Sequence, residues 1–197
     1  SLFIVPHTRV NEDGSLGEWN DVSLVSIEDK MGIHDSPTAV LNFGENNDCL
    51  GWIIGEEQQG MSAMFQMMND ARLYTGLIGL SLGGVAYENA KSYAKERIQG
   101  KKISELRDPK ASSVAIVNHP AVRHNLFNMK AKVEAMRALL YFTAFQFDIE
   151  KTAKNNEIKI RAQNMVDILT PMCKGWCTEV GLDVVQTGIQ ILGGVGY

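Results

Sequence analysis

Hydrophobic positions follow two different periods along the chain, and the change falls just before Gly60. Up to that point short β-rich runs, Leu2 to Val5, Val22 to Ile27, Thr38 to Phe43 and Cys49 to Ile54, alternate with turn clusters such as Asn11-Glu-Asp-Gly and Asp35-Ser-Pro. The runs predict strands of an antiparallel sheet. So few short strands would leave unpaired edges and a poorly covered face, so the expectation is an incomplete β-domain over residues 1–57 with further strands upstream.

From Gly60 the period is helical. Met64, Met67, Ala71, Tyr74 and Ile78 recur three and four apart, Val85 continues that row, and Leu73, Leu77 and Leu80 form a second one, predicting a helix buried on more than one side. Its end is expected near Gln99, with Gly100 as a left-handed cap. After Asn118-His119-Pro120, a seam of Val122, Leu126, Met129, Val133, Met136, Leu140, Thr143 and Phe147 predicts a long helix to about Glu150. A shorter helix is expected over Ile158 to Leu169. Thr170-Pro171 then reads as the cap and first turn of a last helix, with Cys173, Cys177, Val180, Val184, Thr187 and Ile191 as its seam, because a mid-helix proline costs about 3 kcal/mol. The expected fold class is α+β: a remnant of an antiparallel β-domain followed, over residues 58–197, by a C-terminal four-helix bundle.

Composition narrows the functions. The 197 residues are 45% hydrophobic and 21% charged with a net charge of -4, which fits a folded globular chain and provides no basic stripe for nucleic acid. An unbroken apolar run long enough to span a membrane is lacking, and the start carries no export signal. Of three cysteines, Cys173 and Cys177 lie one turn apart in an apolar helical pattern, as core thiols in a reducing compartment would. The histidines are not spaced as metal ligands.

Three motifs bear on chemistry. The terminal Gln190-Ile-Leu-Gly-Gly-Val-Gly-Tyr197 places glycines after a helix, whereas a dinucleotide-binding fingerprint would open one. One glycine suits a helix cap and the others an irregular turn; bare backbone would also let a bulky ligand lie close. Asn69-Asp-Ala-Arg72 puts an amide and a guanidinium on one helix face. A solvated face accounts for them; a pocket floor is the alternative, with Arg72 steadying an anionic or carbonyl group. Gly79-x-x-x-Gly83-Gly84 predicts close helix packing, and Lys101 to Lys110 a solvated loop.

Taken in order, "SLFIVP", "EDKMGIHDSPTAVLNF", "GWIIGEEQQGMSAMFQMMNDARL", "YAKERIQG" and "VVQTGIQILGGVGY" resemble the second half of an acyl-CoA dehydrogenase, end to end. "SPTAVLNF", "MMNDAR" and "RIQGK" are most similar to the branch that includes the methylmercaptopropionyl-CoA dehydrogenases. The resemblance implies a helical domain, a middle β-domain and a four-helix bundle, of which this chain would hold the tail of the second and most of the third.

It further implies FAD, held partly by a neighbouring subunit of a homo-oligomer. Arg97, with Gln99 beside it, and Gln190, Gly193 and Gly194 match the positions that approach the pyrophosphate and adenosine. Gln99 departs from the family, since many members carry Phe-Gly where this chain has Gln99-Gly100. Asn69 stands where many relatives have an acid, which leaves Arg72 as the substrate-side residue and favours the pocket floor.

The implied reaction is α,β-dehydrogenation of an acyl-CoA thioester, with electron-transfer flavoprotein as acceptor and a cytoplasmic location, or the mitochondrial matrix in a eukaryote. The expected catalytic glutamate lies beyond Tyr197, so this polypeptide alone is expected to be inactive. The rival expectations are an acyl-CoA oxidase and a non-catalytic helical interaction module.

Overall fold

The computed structural model describes residues 1–197, apart from the side chain of residue 66. They form two compact units, Ser1–Gln66 and Met67–Tyr197.

The first unit carries six short strands: β1 (Leu2–Ile4), β2 (Thr8–Val10), β3 (Leu16–Trp19), β4 (Val22–Ile27), β5 (Ala39–Phe43) and β6 (Trp52–Ile54). They pair antiparallel as β1 with β6, β2 with β3 and β4 with β5, with an irregularity between Leu24 and Ser26. The turn expected at Asn11 closes the β2–β3 hairpin: Asn11 N–H donates to Ser15 O at 2.9 Å and Gly14 takes φ +81°. Strands β2 and β3 escaped the hydrophobic pattern because Thr8–Val10 and Leu16–Trp19 are short and interrupted by Arg9, Gly17 and Glu18.

A buried polar pair organises the loops of this unit. Asn20, fully buried, donates from Nδ2 to the carbonyls of Pro6 and Leu50, both at 2.8 Å, and accepts from Leu50 N–H and Arg9 Nε. These bonds draw the Leu50 backbone out of a sheet ladder, so β6 begins at Trp52 and not at Cys49. Asp21, at φ +52°, accepts from Asn46 N–H at 2.7 Å, Asn46 Nδ2 at 2.9 Å and Asp48 N–H at 3.2 Å. Burial pushes its carboxyl up, but these donors outweigh that effect and hold it below the usual carboxylate range. Two-stranded pairs cover little apolar surface, and Phe3, Ile4, Leu24, Val25 and Phe43 stand exposed.

Three long helices follow, α1 (Gly60–Glu96), α2 (Pro120–Thr152) and α3 (Asn156–Leu192), and the second unit is built from α1 from Met67 onward together with α2 and α3. Its core joins Leu80, Ala90 and Ala94 of α1 with Met129, Val133, Met136 and Leu140 of α2 and Cys173, Cys177, Val184 and Ile191 of α3. The α2 seam is buried as its spacing predicts, from Leu126 through Thr143. Position-by-position contacts fix the directions. Gly76 meets Cys173 and Leu140, whereas Gly188 meets Ala86 and Met129, so α3 runs parallel to α1 and α2 antiparallel to both.

Two expectations are corrected here. The helices expected over Ile158 to Leu169 and from Pro171 onward are one helix, leaving three long helices among the described residues where the spacing predicts four. Asn155 caps α3 by accepting from Glu157 N–H at 2.8 Å and Ile158 N–H at 3.3 Å. Pro171 lies in its interior, where the missing N–H costs about 3 kcal/mol. Burial of Ala162, Val166, Leu169, Cys173 and Cys177 on both sides of it offsets that cost.

The second correction concerns the face of α1. Met67, Tyr74, Ile78 and Val85 stand exposed; the packed face is Asn69, Gly76, Gly79, Leu80, Gly83, Ala90 and Ala94. Small residues win because α1 and α3 touch backbone to backbone: a Cβ on Gly181 would sit 2.5 Å from the Gly79 carbonyl oxygen, and one on Gly76 2.8 Å from that of Cys173. The close packing expected at Gly79 and Gly83 is therefore present, against α3. Inside this core, burial raises the Cys173 and Cys177 thiols, the latter to about 11, with Thr143 Oγ1 lying 3.2 Å from Cys173 Sγ.

Candidate functional site

Residues 97–99 leave α1 as extended backbone and are pinned from the other side. Arg97 N–H still donates to Tyr93 O at 2.8 Å, closing the last turn, while Ile116 N–H donates to Arg97 O at 2.8 Å. Gln99 N–H donates to Val114 O at 2.9 Å, His119 Nε2 lies 2.7 Å from Gln99 O, and Ile98 bridges Ala115. Helix α1 thus ends at Glu96, earlier than expected, and Gly100 takes φ +72° in the following turn rather than as its cap. Because successive side chains of extended backbone alternate, Arg97 and Gln99 share one side.

At the other end of the sequence, Gly193 terminates α3 at φ +61°, its N–H donating back to Gln190 O and Ile189 O, and a short 3-10 turn follows over Gly193–Val195. The terminal glycines separate by cause. A Cβ at Gly196 would lie 2.6 Å from Ile189 O, so packing demands glycine there; a Cβ at Gly194 would meet nothing within 4 Å. Packing does not explain Gly194, whose bare backbone faces open space.

These two segments meet. Arg97 and Gln99 line one cavity of about 300 Å³ with Gly193 and Gly194, its walls completed by Tyr93, Ile116 and Leu192. The Arg97 side chain has no carboxylate partner among the described residues, whereas Arg9 pairs with Asp48 at 2.7 Å. A guanidinium, an amide and bare glycine backbone around one hollow form a donor set suited to a bridging diphosphate. Gln190 is not in this cavity. It lines a neighbouring polar hollow of about 530 Å³ with Asn125, Asp183, Gln186 and Thr187, and accepts from Tyr197 Oη at 3.3 Å.

Asn69 and Arg72 lie near the other end of α1, on the order of 37 Å away at 1.5 Å per residue. Arg72 Nη1 donates to Asn69 Oδ1 at 3.3 Å, so the two expected residues are in contact, but Asn69 is 5% exposed and faces α3. There it meets Asp167, which the sequence spacing left unassigned, and Thr170, which the sequence suggested as a helix cap and which lies inside α3. Beside them Leu73, Tyr74 and Leu77 form with Leu140, Tyr141 and Ala144 an apolar groove of about 250 Å³. Its α1 wall was visible as the Leu73–Leu77 row and Leu140 as part of the α2 seam; Tyr141 and Ala144 were not. Among the described residues, no cluster of His, Cys, Asp and Glu could hold a metal ion, and no helix is long and apolar enough to cross a membrane.

The family model described as acyl-CoA dehydrogenase, C-terminal domain, matches residues 58–197. Over its whole length the chain is 44% identical to a butyryl-CoA dehydrogenase of Syntrophomonas wolfei and 37% identical to a 3-methylmercaptopropionyl-CoA dehydrogenase of Ruegeria pomeroyi. It spans about a third of each, 33% and 32% of their lengths. Among solved structures, the butyryl-CoA dehydrogenase of Megasphaera elsdenii superimposes on 90% of the chain, with a TM-score of 0.64 at 23% identity, the match covering 40% of that protein.

Proposed function

Since the chain belongs to the acyl-CoA dehydrogenase family, we propose that it forms part of an FAD-dependent acyl-CoA dehydrogenase, with residues 1–57 from the middle β-domain and 58–197 from the helical domain. The observation that carries this is the convergence of Arg97 and Gln99 with Gly193 and Gly194 on one cavity. When bound, FAD supplies the two-electron acceptor for α,β-dehydrogenation of a saturated acyl-CoA thioester.

The residues of this chain hold and orient. The Arg97 guanidinium would hold the diphosphate through a charge-assisted hydrogen bond, and the Gly193–Gly194 backbone would let the nucleotide lie close. Gln99 offers an amide where many relatives place an aromatic ring, exchanging a stacking contact for a hydrogen bond. Gln190, on the neighbouring hollow, serves the adenosine side. Near the opposite end of α1, Arg72 faces the substrate with Asn69 behind it. This separation suits an assembly in which one helical unit serves the nucleotide of one subunit and the acyl-CoA of another, so the whole enzyme is read as a homo-oligomer.

The acyl-CoA named for the relatives, a short straight chain such as butyryl, is the first substrate to try. Electron-transfer flavoprotein is the proposed acceptor. The unpaired Cys49, Cys173 and Cys177 favour a cytoplasmic location.

The direct test is Arg97→Ala in the intact protein. Loss of one charge-assisted contact should weaken FAD retention by about 1 to 3 kcal/mol, read as a lower flavin-to-protein ratio after gel filtration. An unchanged ratio, with the fold intact, would remove Arg97 from the cofactor site.

A further inference from the structure

The link between α1 and α3 at Asn69 has a polarity of its own. Asn69 Oδ1 accepts from two donors, Thr170 Oγ1 at 3.0 Å and Arg72 Nη1 at 3.3 Å. Asn69 Nδ2 donates to Asp167 Oδ1 at 2.9 Å, and the same oxygen accepts from Gln163 Nε2 at 3.1 Å. Thr170 is fully buried and Asn69 nearly so. A guanidinium has no acceptor and an ionised carboxylate no donor, so only one orientation of the amide satisfies both neighbours. Rotating it by half a turn would set NH2 against Arg72 and carbonyl against Asp167, leaving buried groups unpaired.

We propose that Asp167 is a positioning residue for Arg72, acting through the Asn69 amide; this rests on the proposed placement of Arg72 at the acyl-CoA. The carboxylate on α3 anchors the donor end of the amide, Thr170 anchors its acceptor end, and Arg72 Nη1 is held by what remains of that acceptor. A neutral amide passes on orientation through hydrogen bonds alone. Pro171 marks the same turn of α3: it supplies no N–H to the Asp167 carbonyl, so side chains tie this stretch of α3 to α1.

The test is steady-state kinetics of the intact flavoprotein with butyryl-CoA, alongside thermal unfolding. Asp167→Ala should raise KM about tenfold with kcat changed little, and Asp167→Asn, which keeps an acceptor for Asn69 Nδ2, should restore it. Asn69→Asp alone opposes two carboxylates and should be impaired; adding Asp167→Asn re-forms the link with the charge moved one position and should recover most of the affinity.

Arg72→Ala separates the two levels. If Arg72→Ala raises KM while Asp167→Ala does not, the positioning role is overturned and Arg72 keeps its place. If Arg72→Ala leaves KM unchanged, the placement of Arg72 is wrong and the positioning role goes with it. A drop in melting temperature matched by unchanged KM in every Asp167 and Asn69 variant would make the network purely structural, against the proposal.

Discussion

At the scale of single residues, the described polar groups that leave water have partners to meet: no buried side-chain nitrogen or oxygen among them lacks a hydrogen bond. Asp21 shows the consequence for pH. Its folded carboxyl is held below the ordinary range near pH 4, so its contribution to stability is present above that range and lost as the pH falls through and below it. Asp21→Asn keeps a residue that tolerates φ +52° while removing the charge and one of the two acceptor oxygens. Followed by fluorescence of the nearby Trp19, whose Nε1 donates to Val22 O at 3.0 Å, the variant should unfold at lower denaturant at pH 7. It should also weaken the acid limb expected of the parent; identical acid limbs would mean that Asp21 does not anchor the loops. Neither Asn20 nor Asp21 stood out in the sequence, because their partners lie up to 30 residues away and no local spacing encodes them.

Among the elements, legibility followed the size of the packed side chains. Helix α2 buries large residues, so Met129, Val133, Met136 and Leu140 printed the seam directly into the sequence. Helix α1 packs through Gly76, Gly79 and Gly83, which carry no hydrophobic signal, and the bulky row Tyr74, Ile78 and Val85 that does carry one is on the exposed side. Helix α3 was divided because a proline penalty is visible locally while the burial that outweighs it is tertiary. The backbone contact between α1 and α3 supplies a sharp prediction. Gly181→Ala places a methyl against the Gly79 carbonyl and should destabilise the protein by roughly 1 to 3 kcal/mol in chemical denaturation. Gly175→Ala, where a Cβ would meet nothing within 4 Å, should be neutral or slightly stabilising by helix propensity. Equal effects of the two changes would contradict the close approach.

For the whole molecule, the sequence showed which residues carry suitable chemistry, and the fold showed which of them meet. Arg97 and Gly194 are 97 residues apart, and no periodicity joins them; it took the family resemblance to pair them and the fold to bring them to one cavity. Gln190 was grouped with them by the same resemblance, but it lines a different hollow. The reach from Asn69 to Asp167 and Thr170 was hidden for the same reason, since it crosses from the first helix to the third. What the account claims above all is that the end of α1 and the glycine tip of α3 together hold a flavin dinucleotide's diphosphate. A structure of the intact protein with FAD tests this most directly: the account predicts an Arg97 guanidinium nitrogen about 2.7 to 2.9 Å from a diphosphate oxygen, with the Gly193–Gly194 backbone against the nucleotide. A flavin bound elsewhere, with Arg97 turned to solvent, would contradict it.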